Sequence, residues 1–105
     1  IAVYNDPKLT HRLVNALRAA LGDSRVLEIP PKMVSEDFSY YAQDGIPEAM
    51  FHVGAVNPET FAEAQRAGTS LPSLHSALFA PDFPPTLRTA MEVEVAELLE
   101  LMRKK

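Results

Sequence analysis

His75 stands at the centre of Ser70–Phe83, read S-L-P-S-L-H-S-A-L-F-A-P-D-F. The stretch has little regular periodicity and is punctuated by Pro72 and Pro81, with Pro84 and Pro85 just beyond. An imidazole in a tight loop between regular elements is where α/β enzymes place a metal ligand or a base, because a rigid scaffold aims a short segment at a cleft. The same side chain also fits a plain local hydrogen bond. A second stretch, Val34–Tyr41 (V-S-E-D-F-S-Y-Y), sets a hydroxyl and two carboxylates side by side at Ser35, Glu36 and Asp37. They make a good helix start, with a hydroxyl cap and two acids facing the positive end of the helix dipole.

Two further histidines read more plainly. His11 lies beside Arg12 in a helical pattern and is expected to be solvated. His52 lies inside the most continuous apolar run, Ala49–Val56, and is expected to be a core histidine with its hydrogen bonds satisfied.

The elements that must position these residues can be read from caps and periods. Ile1–Tyr4 is a short apolar run that could end a strand. Asn5-Asp6-Pro7 opens a helix, with Asp6 or Asn5 as cap and Pro7 at the first helical position. Leu9, Leu13, Leu17 and Leu21, with Val14 beside them, form one apolar stripe over Pro7–Leu21, which Gly22 ends. Arg25–Ile29 alternates enough for a short strand, stopped by Pro30-Pro31. The acids at 36 and 37 predict a helix over Glu36–Gln43, with Phe38, Tyr41 and Ala42 on one face. Ala49–Val53 predicts a strand buried on both faces. Asn57-Pro58 caps a short helix over Glu59–Ala67, with Gly68 after it. Pro85–Met102 is a long helix whose apolar positions are Leu87, Met91, Val95, Leu98 and Met102, and its basic end, Arg103 to Lys105, suits the negative pole of the dipole.

This order implies an α/β fold, a parallel or mixed sheet with helices packed on its faces. Three strands are few for such a sheet, and a central-type apolar strand needs neighbours on both sides. The chain reads as half of a larger domain.

Composition narrows the function classes. At 105 residues one core is feasible but not generous. A formal charge of −4 argues against nucleic acid, whose phosphates need a basic face, and the only basic cluster is at the C-terminus. No cysteine is present, so neither a disulfide framework nor a thiolate metal site is available. No apolar run is long enough to span a membrane. The first residues lack the pattern of a signal peptide, which favours the cytoplasm over secretion without a positive signal for either.

Taken together, Asn5-Asp6-Pro7, then Ser35-Glu36-Asp37-Phe38-Ser39-Tyr40-Tyr41, then an apolar run ending at Gly54, then Leu74-His75-Ser76 before a long terminal helix, resemble the C-terminal part of an M20-family metallopeptidase. The branch is that of N-acyl-amino-acid amidohydrolases and hippurate hydrolases. The resemblance covers nearly the whole chain and rests on the order and separation of short motifs. Two departures stand out: Val34 occupies a position where relatives carry a small residue, and His75 is followed by S-A-L-F-A-P-D-F rather than a nearby proline and an acid-rich run.

The resemblance implies the C-terminal half of a mixed-sheet α/β catalytic domain. Residues 1–5 would end the lid or dimerisation domain, and 6–105 would be the C-terminal catalytic segment. Two divalent metal ions (zinc, manganese or cobalt) would hold a bridging hydroxide that attacks the amide of an N-acyl amino acid or small peptide. His75 would be one metal ligand. Ser35 and Glu36 would lie on the substrate side or behind the ligands, unless they only start a helix. The other ligands and the catalytic carboxylate would lie outside these residues, so the segment alone is expected to be inactive, and its uncovered apolar faces point to homo-oligomer formation. The alternative is an independent small α/β binding or structural domain in which His75 is incidental.

Overall fold

The computed structural model describes residues 2–33 and 36–104. Its helices are α1 (Pro7–Leu21), α2 (Tyr40–Gln43, preceded by a 3-10 turn at Asp37–Ser39), α3 (Pro58–Ala67) and α4 (Phe83–Met102). The expected α/β sheet is absent: no strand occurs among the described residues. Ala2–Tyr4, Val26–Ile29 and Ala49–Val53 run without a strand partner, and Asp23–Arg25 is a 3-10 turn.

The physical reason is clearest at Met50. Its N–H donates to Asn5 Oδ1 at 2.8 Å, and its carbonyl accepts from Asn5 Nδ2 at 2.9 Å. One side-chain amide thus takes both backbone groups that a neighbouring strand would pair. Apolar content alone does not make a strand; a strand is defined by its partner. His52 is accordingly exposed rather than a core residue.

Helix boundaries obey local chemistry closely. Asp6 caps α1, its Oδ1 accepting from Leu9 N at 2.7 Å, with Pro7 behind it. Asn57 Oδ1 caps α3 by accepting from Glu59 N at 2.9 Å. Gly68, at φ 66°, ends α3 in the left-handed region, and Thr69 N reaches back to Ala64 O at 3.0 Å. The second helix starts later than its acids suggest: Glu36 is extended, at φ −152°, and only its carbonyl joins the turn, accepting from Ser39 N and Oγ.

The chain divides into two compact units, residues 1–52 with 92–105, and residues 53–91. In the first, Leu13, Leu17 and Val93 are the buried hydrophobic residues, and Arg12 of α1 reaches Glu100 of α4, Nε to Oε1 at 2.9 Å. The long helix turns an unexpected face inward. Val93 is buried and Thr86, Thr89, Ala90, Ala96, Glu97 and Glu100 are half-buried, while Leu87, Met91, Val95, Leu98 and Met102 are all exposed.

Candidate functional site

His75 lies in the second unit, on a loop built from consecutive turns. Ser76 N donates to Ser73 O at 2.9 Å, so His75 occupies the third position of a four-residue turn. Ser76 then organises the next residues: its Oγ accepts from Leu78 N at 3.1 Å and its carbonyl from Phe79 N at 3.1 Å. Serine suits this place because its hydroxyl can mimic a backbone acceptor two residues ahead. The imidazole is exposed and has no hydrogen-bond partner among the described residues.

The same unit fixes where the loop begins and ends. Asn57, while capping α3 with its oxygen, donates from Nδ2 to Asp82 Oδ2 at 3.3 Å. Asp82 N donates to Ala55 O at 2.7 Å, and the Asp82 carbonyl accepts from Thr86 N in the first turn of α4. Asn57 and Asp82 thereby tie together the starts of two helices, and the excursion carrying His75 runs between them.

The acidic segment belongs to the first unit. Ser35, like Val34, lies outside the described residues. Glu36 is exposed, and Phe38 meets Tyr41 edge-on at 5.4 Å between ring centroids. Among the described residues no group of three His, Asp or Glu side chains is gathered so as to hold a metal ion. One exposed imidazole is a small part of the donor set that a pair of metal ions takes.

Three groups carried no signal in the sequence. Glu48 is buried at 3% exposure; its Oε1 accepts from Tyr4 N at 3.2 Å, its carbonyl from Asp6 N at 2.7 Å, and Oε2 has no partner. A single glutamate between Pro47 and Ala49 has no period that would betray burial. Thr10 and Arg18 line an open depression of about 360 Å3 with Asn5, Pro7, His11, Val14 and Glu28. Their spacing with Val14, one residue every four along α1, puts them on one face, but a polar face reads as solvated and nothing in it singles them out.

Two carboxylates of α4 are perturbed in opposite directions. The hydrogen bond from Arg12, with the charges of Arg103 and Arg12, holds Glu100 below the ordinary carboxylate value against some desolvation. Glu97 is raised, by burial first and by neighbouring Glu94 second, and its Oε1 is shielded without a partner.

No protein-family model matches the chain, and no solved structure matches it at a significant level. No helix among the described residues is long and apolar enough to cross a membrane.

Proposed function

We propose that this chain is the C-terminal segment of a dinuclear-metal amidohydrolase acting on N-acyl amino acids or small peptides, in which His75 supplies one metal ligand. The observation that carries the reading is the setting of His75: an exposed imidazole, free of protein partners among the described residues, on a turn framed by two helix starts. A ligand histidine must present a neutral ring nitrogen in a defined direction, and back-to-back turns are an economical way to hold a short loop so. Glu36, with Ser35 beside it in the chain, is proposed as a substrate-side group. Metal ions, when bound by the complete ligand set, would supply an activated water and polarise the amide carbonyl.

The reading makes the chain incomplete as a catalyst, and it is supported by how much apolar surface remains uncovered on α4. By itself the chain is expected to associate with copies of itself through Val95, Leu98 and Met102, exposed on the first unit's part of α4, because large apolar surface is seldom left wet. The deciding experiment uses the longer protein that carries this segment. His75→Ala there should lower hippurate hydrolysis by orders of magnitude and reduce bound metal while the fold is retained. Unchanged activity and metal content would remove His75 from the site and leave a small binding or structural unit as the better account.

A further inference from the structure

The first unit's part of α4, from Glu92 to Met102, turns an apolar face outward. Val95, Leu98 and Met102 follow one another at helical spacing with Leu99 beside them, and each is more than half exposed. The opposite side is already engaged, since Val93 is buried and Glu100 is held by Arg12.

The charges around this stripe define its partner. Acids stand at its start, Glu92 and Glu94, and bases at its end, Arg103 and Lys104; all four are exposed. Glu94 and Lys104 make no ion pair among the described residues. Glu92 meets Arg25 only at 3.7 Å, and Arg103 reaches no further than Glu100, at 3.1 Å. A purely acidic or purely basic partner would match one end of the stripe and be repelled at the other. A surface with opposite charges at its two ends is complementary to itself when turned end for end. With Leu98 of one copy against Leu98 of the other on a two-fold axis, Glu92 and Glu94 of each come within about one helical turn of Arg103 and Lys104 of the other. A parallel pairing would set acids beside acids and bases beside bases. The stripe is only about 15 Å long, too little apolar contact to fix a direction, so the charges decide it.

We infer that α4 pairs antiparallel with α4 of a second copy, with Val95, Leu98 and Met102 in the contact and the four charges setting its direction. This gives a geometry to the self-association expected of the chain by itself. It does not depend on His75, which lies in the other unit and is tested separately by activity and metal content.

The test is sedimentation equilibrium of the full chain at low ionic strength, with charge-reversed variants. The parent should show a reversible monomer–dimer equilibrium and no larger species. Leu98→Glu should abolish it, with Leu13 and Leu17 methyl signals unmoved to show that the fold persists. Reversing the bases, Arg103→Glu with Lys104→Glu, should raise the dissociation constant at least tenfold. Reversing the acids, Glu92→Lys with Glu94→Lys, should do the same, although it moves the formal charge of −4 toward zero. One chain carrying all four reversals keeps the parent's net charge and should dimerise like the parent. Salt should shrink these differences, because exposed charges are screened. A parent that stays monomeric at about 1 mM, or an open-ended series of larger species, would overturn the pairing. So would a dimer that survives Leu98→Glu. Acid reversal that strengthens the dimer, or base reversal without effect, would overturn the antiparallel direction.

Discussion

The two units reach order by different physics. In the first, every buried residue of the described chain is found: Leu13, Leu17 and Val93 as the hydrophobic core, Ser39 and Glu48 as buried polar groups. In the second, residues 53–91, Leu71 and Phe79 are only half sheltered, and order comes from polar ties: the Asn57 cap, its bond to Asp82, the Asp82–Ala55 backbone bond and the turns around His75. A core spreads stability over many contacts, whereas caps and turns give shape locally, at about 1 kcal/mol apiece. The candidate ligand therefore sits in the unit whose geometry depends on a few hydrogen bonds, as binding loops commonly do.

Removing core volume should widen this contrast most. Leu17→Ala is expected to destabilise the chain by about 2–4 kcal/mol in urea unfolding. Leu74→Ala in the second unit, where that side chain is 67% exposed, should stay within about 0.5 kcal/mol. Comparable losses from both would mean that the second unit has a core of its own.

Next in size is the Arg12–Glu100 tie. Arg12→Gln should lower the melting temperature, by less than Leu17→Ala, while Arg103→Gln should barely change it. Both arginines reach Glu100 Oε1, but Arg12 also donates to the Glu100 carbonyl and is half as exposed as Arg103, 35% against 72%. Because the folded-state pKa of Glu100 is depressed, its contribution is present above the ordinary carboxylate value and is lost as pH falls through the lowered one. Thermal melts across acid pH should show this loss in the parent chain and little of it in Arg12→Gln.

Asn57→Ala is expected to cost about 1 kcal/mol through the α3 cap, and to disturb the amide signals of residues 73–79 as the bond to Asp82 is lost. If those signals stay in place, the loop is held by its own turns alone. The smallest effect is at Glu97, whose folded-state pKa is raised. Burial there favours the protonated form, so any stability tied to it is full below the unfolded value and declines as pH rises through the folded one. Glu97→Gln should raise the melting temperature slightly at neutral pH, with the gain disappearing in acid.

The legible part of the fold was its punctuation. Asp6-Pro7, Asn57-Pro58 and Gly68 mark helix ends because a cap satisfies amides one turn away, and α1 runs over the expected Pro7–Leu21. The α1 stripe was legible too, with Leu13 and Leu17 buried. The extended runs mislead, because Ala49–Val53 has the composition of a central strand while Met50 gives its backbone groups to Asn5. The inward face of α4 misleads for a related reason. Its strongest apolar period, Leu87 through Met102, is the exposed one, and the sheltered side is drawn in by Val93 and the Arg12–Glu100 contact.

Of the candidate site, His75 in a loop between helices could be read directly, and the turn bonds of Ser73 and Ser76 are local to it. The expected second helix includes Glu36, which instead lies just before it. Glu48, Thr10 and Arg18 were invisible because burial and an unmet hydrogen bond are properties of surroundings. The sequence by itself determined where helices start and stop, since those interactions span only a few residues. Only the tertiary structure decided which faces are covered, which extended segments find partners and which polar atoms are left without one, because each depends on residues far apart in the chain, as Asn5 and Met50 or Arg12 and Glu100 are.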